Sequence, residues 1–238
     1  MSTATTTRRY ATHDSGRAHA RAGGIFYLLT FATSIPAALM LGPILNDPGY
    51  ILSVGADSSQ ILWACLLDFA NALACVGSAV AVFPVAKRAS EALALGFVAT
   101  RLIEAAVIIP GVIALLTIVV LRQDAAVVAS DPAAFTAIGQ ALVTFRDWTF
   151  LFGPGFMAAF NALMFATLLY RSGLVPRGIP LIGLIGAPLL LTSDVLTFFG
   201  FITQTGQVAG IAALPIAAWE LSVGIYLTFK GFRTVAAS

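Results

Sequence analysis

The chain has 238 residues, of which 59% are hydrophobic and only 10% are charged, and its mean hydropathy is +0.93. Soluble domains carry roughly 25% charged residues, so this chain could not cover a water-exposed surface and is predicted to be an integral membrane protein. The net charge is +2, and the basic residues form short scattered clusters rather than the basic patch of a nucleic-acid-binding protein. Both histidines, His13 and His19, precede the apolar part of the chain, and we predict neither a metal nor a cofactor.

The first 21 residues are rich in Thr, Ala, Arg and Ser and are predicted to form a disordered cytoplasmic tail. The apolar run that follows is about 22 residues long, beyond the 7–15 residues of a signal-peptide core, so it is predicted to be the first permanent span. Residues 22–232 are then a single transmembrane helical bundle, and residues 233–238 are a cytoplasmic C-terminal tail.

Apolar runs long enough to cross a bilayer, which takes about 20 residues, recur along the chain. The predicted spans cover residues 23–45, 60–85, 91–121, 147–170, 178–201 and 208–229. Between the third and the fourth, Asp131 and Pro132 have the pattern of a helix start, and they predict an interfacial helix that ends at Phe145. A seventh span in this segment is the competing interpretation. The fold class is therefore all-α, a polytopic membrane helical bundle with six transmembrane helices, or seven.

Basic side chains favour one side of the predicted membrane. The N-terminal tail, the turns after spans 2 and 4, and the C-terminus share that side and contain Arg8, Arg9, Arg17, Arg21, Lys87, Arg88, Arg171, Arg177, Lys230 and Arg233. The opposite loops carry only Arg122 and Arg146. Because cytoplasmic loops are the basic ones, the chain is predicted to be a multi-pass protein of the cell membrane with both termini in the cytoplasm.

Each of the last five predicted spans contains one acidic residue within it or at its edge. These residues are Asp68, Glu104, Asp147, Asp194 and Glu220. An ionisable side chain at the centre of a membrane helix costs at least about 2.5 kcal/mol, so the five are expected to face a shared polar interior rather than lipid. At about 1.5 Å of helix per residue they converge on the middle and outer part of the membrane. The sequence predicts a cavity there that opens outward or toward the outer leaflet.

Structural roles compete with functional ones at several of these positions. Arg101 precedes Glu104 by three residues, so it can form an ion pair within its own helix, or it can reach a carboxylate on another helix. Asp194 has three hydroxyl neighbours in the sequence and can belong either to a satisfied polar knot or to a working site. Trp148 lies at a depth where tryptophan often serves only as an interface anchor.

Several short segments carry a resemblance to a known family. They are residues 24–30 (GIFYLLT), 46–50 (NDPGY), 94–97 (ALGF), 101–105 (RLIEA), 146–148 (RDW), 174–177 (LVPR) and 183–186 (GLIG). Together they resemble the bacterial multi-pass membrane family named domain of unknown function 4386, over nearly the whole chain after the tail. This resemblance implies the fold and the membrane location, and no activity. In architecture alone, the chain also resembles the small integral-membrane terpene cyclases of meroterpenoid pathways, which use isolated intramembrane carboxyls.

The chemistry that these residues favour is acid catalysis without a metal. A carboxyl held in an apolar pocket can stay protonated and act as a general acid, and aromatic faces stabilise a developing cation. The sequence has neither a histidine for a catalytic triad nor an Asp-rich diphosphate motif. We therefore predict a membrane-bound terpene cyclase or isomerase that protonates an alkene or epoxide of a prenylated, for example farnesylated, substrate. The predicted catalytic acids are Asp68, Glu220, Glu104, Asp194 and Asp147.

The predicted partners are an apolar isoprenoid molecule, the lipid bilayer and a second copy of the chain in a homodimer, with no nucleic acid. The residues predicted to bind the substrate are Trp63, Asn71, Arg101, Trp148, Phe152, Asn161, Phe198 and Trp219. Two other functions stay open. One is a proton-coupled small-molecule transporter, for which intramembrane acids are also typical. The other is a non-catalytic membrane partner subunit whose acids only pair with Arg101 and Arg146.

Overall fold

The described chain is helical, and no strand occurs in the ranges that the computed structural model describes, which are residues 3–47, 49–53, 57–123 and 125–233. The helices are α1 (Thr3–Leu45), α2 (Ser59–Ala89), α3 (Glu91–Leu121), α4 (Ala125–Ser130), α5 (Pro132–Phe150), α6 (Ala158–Ser172), α7 (Gly178–Phe198) and α8 (Gln207–Phe229). A π-helical segment (Leu151–Met157) joins α5 to α6, and a short 3-10 turn (Tyr50–Leu52) lies between α1 and α2. The predicted all-α fold class is confirmed.

Within the described ranges, six helical segments are long and apolar enough to cross a membrane. They are Gly16–Gly42, Ser59–Ala89, Glu91–Leu121, Pro132–Ser172, Gly178–Phe198 and Gln207–Phe229. Six such segments indicate a multi-pass membrane protein, as the sequence predicted. Large apolar side chains cover their outward faces, among them Leu39, Ile211 and Phe229, which is the surface that a lipid environment favours.

The fourth span differs from the prediction, because the predicted interfacial helix that opens at Asp131 and Pro132 is the first part of the span rather than a separate helix. Asp131 caps the start of α5 as expected, and its carboxylate accepts a hydrogen bond from the amide of Ala134 (3.0 Å). The helix then continues without interruption through the π-helical segment to Ser172, over 41 residues. The charged residues Arg146 and Asp147 suggested a new helix start, but both side chains face pockets inside the bundle.

The first helix also extends further than the sequence predicted. α1 begins at Thr3, so residues 3–21 form one continuous helix with the first span rather than a separate irregular segment. The physical reason is local: this stretch has no proline, and its alanines and arginines are good helix formers. The cytoplasmic location of this segment, and the division of the chain at residues 22 and 233, stay predictions.

The six spans pack into a closed ring. α1 packs against α2 and α8, α2 against α3, α3 against the α5–α6 helix, α6 against α7, and α7 against α8. One apolar cluster, which includes Tyr27, Phe97 and Phe165, fills the half of the ring near the C-terminus. A second cluster, which includes Leu41 and Ile61, fills the other half. The ring therefore has a core at each end and encloses the space between them.

The two ends of the ring are formed by different parts of the chain. At one end, the amide of Arg233 donates to the carbonyl of Leu174 (2.8 Å), and Gly231 lies beside Arg17, so residues 231–233, the α6–α7 turn and the part of α1 around Arg17 are together. We name this the basic end. The opposite end, which carries the connection between α1 and α2, is the loop end.

Arg122 is buried at the loop end and holds the connection between α1 and α2 in place. Its Nη2 atom donates to the carbonyl of Ser53 (2.7 Å), and its guanidinium stacks on the ring of Tyr50 (4.0 Å). In the same connection, hydrogen bonds from the hydroxyl and amide of Ser59 hold the pKa of Asp57 below its usual value. Arg122 thus breaks the charge pattern of the loops because it is a structural residue.

Candidate functional site

A cavity of about 340 Å³ lies inside the ring, and every span contributes at least one side chain to its wall. This volume is within the range of small-molecule sites, roughly 300–1,000 Å³. Most of the wall is apolar. Among the described residues, the charged side chains that line it are Asp68, Glu104, Glu220, Arg101 and Arg146. We name this space the central cavity.

Arg101 joins two carboxylates from different helices. Its Nη1 atom lies 3.1 Å from Oε2 of Glu104 on the same helix, and its Nη2 atom lies 2.6 Å from Oε1 of Glu220 on α8. The side-chain amide of Asn161 on α6 also donates to Oε2 of Glu104 (2.8 Å). The two pairings that the sequence left open, within the helix and between helices, therefore both form. We name these four residues the Arg101 cluster.

The position of Arg101 is fixed on all sides, since only 1% of the residue is exposed. The guanidinium lies over the ring of Tyr27 (4.9 Å from the centroid), and Nη1 contacts the sulfur of Cys75 (3.6 Å). A planar guanidinium suits such a place because it can bond two carboxylates and stack on an aromatic ring at the same time. One guanidinium nevertheless faces two carboxyl groups, so the cluster has one carboxyl more than it can neutralise.

Asp68 and Arg146 form a second, looser pair. The distance from Nη2 of Arg146 to Oδ2 of Asp68 is 3.7 Å, which is longer than a hydrogen bond. The guanidinium of Arg146 also lies over the ring of Phe150 (4.7 Å). Asp68 is therefore the acid of the central cavity that is held least tightly by its partner.

One face of α2 connects the two charged regions. Asp68, Asn71 and Cys75 line the cavity at relative positions 0, 3 and 7, which lie on the same side of a helix. Seven residues at about 1.5 Å each separate Asp68 from Cys75 by about 10 Å along the axis. Between them, Asn71 is only 6% exposed, and its Oδ1 atom has no hydrogen-bond partner among the described residues.

Asp147 lies in a different pocket. A second space of about 470 Å³ at the loop end is lined by Asp147, Trp148 and Gln204, among others. It shares Ala38, Arg146 and Phe150 with the central cavity, so the two spaces are adjacent and Arg146 lies between them. The expectation that Asp147 meets the other acids is corrected accordingly, because adjacent residues on a helix point in different directions.

Asp194 does not line the central cavity either. Its carboxylate is packed against Gly155 of the π-helical segment, where an added methyl group would come within 3.0 Å of Oδ2. Oδ2 has no hydrogen-bond partner in the described part of the chain. The polar knot that the sequence suggested does not form there, since the hydroxyls of Thr192 and Thr197 donate to carbonyls of their own helix.

The structure also corrects the predicted aromatic lining. Trp219 is fully buried in the core at the basic end, edge-on to Phe165, and Trp63 is 59% exposed on the outside of α2. The remaining aromatic residues of the prediction, Trp148, Phe152 and Phe198, pack on one another near the loop end. Among the described residues, the aromatic side chains that do line the central cavity are Phe31 and Phe150.

The sequence Gly153-Pro154-Gly155 widens the fourth span into the π-helical segment rather than breaking it. Pro154 has no amide proton to donate, and it lies on the cavity wall. Gly153 lets the backbone approach the carbonyl of Glu104 on α3. Single π-helical turns often occur at functional sites, and this one borders the Arg101 cluster.

Comparison with known protein families shows which family the chain belongs to. The family described as Domain of unknown function (DUF4386) matches residues 22–231. The chain belongs to this family. No curated protein and no solved structure matches the DUF4386 chain. The resemblance inferred from the sequence is therefore confirmed, and it supplies the fold but no activity.

In this DUF4386 protein, Arg146 and Cys75 are among the cavity residues that were not predicted as site residues from the sequence. Arg146 was assigned to an external loop, yet a lone arginine on the side with few basic residues is the pattern of a cation with an internal partner. Cys75 could have been found from its spacing, because it lies on the same helix face as Asp68 and Asn71. Among the described residues, no group of three His, Cys, Asp or Glu side chains is arranged to hold a metal ion.

Proposed function

We propose that this protein is a membrane-embedded cyclase or isomerase that acts on a prenylated substrate by acid catalysis, with Asp68 as the proton donor. The observation that carries this proposal is the environment of Asp68. Its carboxyl lines a mostly apolar cavity, and Arg146, its ionic partner, is beyond hydrogen-bonding distance (3.7 Å). An acid in such surroundings can keep its proton at neutral pH and deliver it to a substrate.

The proposed reaction conserves the composition of the substrate. The O–H bond of the Asp68 carboxyl breaks, and its proton adds to an alkene carbon or an epoxide oxygen. A neighbouring double bond then donates its electron pair and closes a carbon–carbon bond. Glu220 takes a proton from carbon in the final cation, since the Arg101 cluster has one carboxyl in excess. Proton transfer from Glu220 back to Asp68 restores the starting state.

The shape of the cavity supports this division of roles. Asp68 lies about 10 Å along α2 from Cys75, which contacts Arg101, so one extended molecule can reach both charged regions. The cavity wall includes the apolar side chains of Ile35, Ile108 and Ile216. Phe31 and Phe150 contribute aromatic rings, which attract positive charge.

The test is product formation from a farnesylated aromatic acceptor by purified protein in lipid nanodiscs. The expected product has the mass of the substrate and a different retention time in liquid chromatography with mass spectrometry, because the reaction is an isomerisation. Empty nanodiscs are the control. Unchanged product formation by a variant that combines Asp68→Asn with Glu220→Gln would contradict the mechanism.

A proton-coupled small-molecule transporter is the second candidate, and the arrangement of the two pockets favours it. The central cavity and the loop-end pocket share the side chains of Ala38, Arg146 and Phe150, so they lie in series along the bundle. Uptake of a solute into proteoliposomes that stops when the proton gradient is collapsed would distinguish this function from catalysis, which needs no gradient.

The cellular location belongs to the same proposal. The protein lies in the cell membrane with both termini in the cytoplasm, because the basic end carries Arg17, Lys87, Arg177 and Lys230. A reporter that is active only in the cytoplasm, fused after the last residue, tests the orientation. An active reporter supports it, and an inactive but expressed fusion contradicts it.

A further inference from the structure

The charges of the central cavity do not balance. Three carboxyl groups line it, from Asp68, Glu104 and Glu220, and two guanidiniums, from Arg101 and Arg146, face them in the described part of the chain. With all five ionised, the cavity carries one net negative charge. A net charge enclosed by membrane helices is costly, so the cavity needs either a proton or a bound cation to become neutral.

The other titratable groups near the cavity do not change this balance. Tyr27 on α1 and Cys75 on α2 pack against Arg101, and both are neutral in their ordinary state at pH 7. Asp147 on α5 faces the loop-end pocket. From α7 only Leu190 reaches the central cavity, whereas Asp194 is turned toward Gly155. The excess of one carboxyl is therefore a property of the cavity itself.

A second feature independently indicates a ligand. Asn71 lies between the two charged regions, it is buried, and its Oδ1 atom has no hydrogen-bond partner among the described residues. Buried amide oxygens normally have a partner, so an unpartnered one on a residue of the cavity wall points to a bound group that this side chain can turn to meet. A carbonyl oxygen is an acceptor, and it attracts positively charged groups.

We infer that the central cavity binds one lipophilic organic monocation in exchange for one proton. The cation neutralises the excess carboxyl charge, its head lies near Asn71 and Glu220, and its hydrocarbon part contacts the apolar wall that includes Ile35, Ile108 and Ile216. This inference goes beyond the proposed reaction and does not depend on it. The binding site exists whether or not the protein turns over a prenylated substrate.

The test is binding of radiolabelled decyltrimethylammonium to the full-length protein in lipid nanodiscs, with binding to empty nanodiscs subtracted. Decanol and decanoate, which have the same chain with a neutral and an anionic head, are the matched ligands. We expect one cation bound per protein, one proton released into a weakly buffered medium, and an affinity that rises about tenfold per pH unit, because cation and proton compete for one site. Equal binding of decanol, or cation binding without proton release, would overturn the inference.

Substitutions that change the charge balance provide the decisive comparison. Glu220→Gln and Asp68→Asn each bring the cavity to zero net charge, so each is expected to lower cation affinity at least about tenfold and to abolish proton release. Arg146→Gln makes the net charge of the central cavity more negative, so this variant is expected to bind the cation at least as tightly as the wild type. Asp194→Asn removes a buried acid outside the cavity and should leave binding unchanged.

The pattern across these variants keeps folding defects separate from loss of the site. Each variant is first checked for a monodisperse peak in gel filtration. If Glu220→Gln does not give such a peak, the comparison of cation binding relies on Asp68→Asn. Cation binding that is the same in all folded variants overturns the inference. Cation binding with the expected pattern, in a protein that yields no isomer from the farnesylated acceptor, supports the inference and removes the catalytic proposal.

Discussion

Replacing Arg101 by methionine is expected to cause the largest loss of stability of any single substitution in this protein. Methionine keeps much of the length of the side chain but leaves Glu104 and Glu220 without their shared cation. Breaking a buried ion pair by removing one partner typically costs 3–5 kcal/mol, and here one substitution breaks two pairs, so we expect a loss of at least about 3 kcal/mol. The measurement is the thermal unfolding midpoint of detergent-solubilised protein. Size-exclusion chromatography after heating shows how much protein is still folded at each temperature.

Two comparisons separate charge from packing in this prediction. Lys87→Met removes an exposed cation at the basic end and should hardly move the midpoint, since surface charges contribute little. Combining Arg101→Met with Glu104→Gln and Glu220→Gln removes the unpaired charges and should recover most of the lost stability. A midpoint for Arg101→Met equal to that of the wild type would show that the Arg101 cluster does not hold the bundle together.

Replacing Asp68 by asparagine is expected to have the largest effect on turnover of the farnesylated acceptor. Asparagine has nearly the same shape but no acidic proton, and loss of a general acid typically lowers the rate by about 10²–10⁴. Folding should be preserved, because the contact with Arg146 is loose (3.7 Å). The measurement is the rate of isomer formation by the purified variant at saturating substrate.

Asp194→Asn is the matched control for this experiment. It removes a buried carboxyl that lies against Gly155 instead of the central cavity. The rate should stay near that of the wild type. If the two variants lose activity equally, or if Asp68→Asn keeps the wild-type rate, Asp68 is not the proton donor.

The number of spans could be predicted from the sequence because apolar length is a local property. A run of about 20 apolar residues can be recognised in the sequence without knowledge of the neighbouring helices. The ends of the helices were less predictable. Residues 3–21 lack the apolar side chains of a span yet continue α1, and the charges of Arg146 and Asp147 hid the continuity of α5 with α6.

The composition of the site was predictable only in part, because the rotation of each helix depends on its neighbours. Relative spacing correctly grouped Arg101 with Glu104. It could not show that Asp194 turns toward Gly155, since α7 is apolar around much of its circumference and the sequence marks no preferred inward face.

Tryptophan was misleading as a marker of the site. The large apolar surface of Trp219 is buried in the core, where Gly183 makes room for its ring, and Trp63 lies on the outer surface of the bundle. An arginine in an unexpected place was the better marker. Arg146 departs from the charge pattern of the loops, and it lines the central cavity beside Asp68.

Photolabelling with a farnesylated acceptor that carries a diazirine in its chain tests most directly the claim that the central cavity is the functional site. After irradiation in nanodiscs, mass spectrometry of the peptides identifies the labelled residues. The structure predicts labels on the cavity faces of α1, α2 and α8, around Ser34, Asn71 and Ala217, which an excess of unlabelled acceptor prevents. Labels that this excess does not prevent, or labels confined to Trp63 and the aromatic residues near Trp148, would contradict the account.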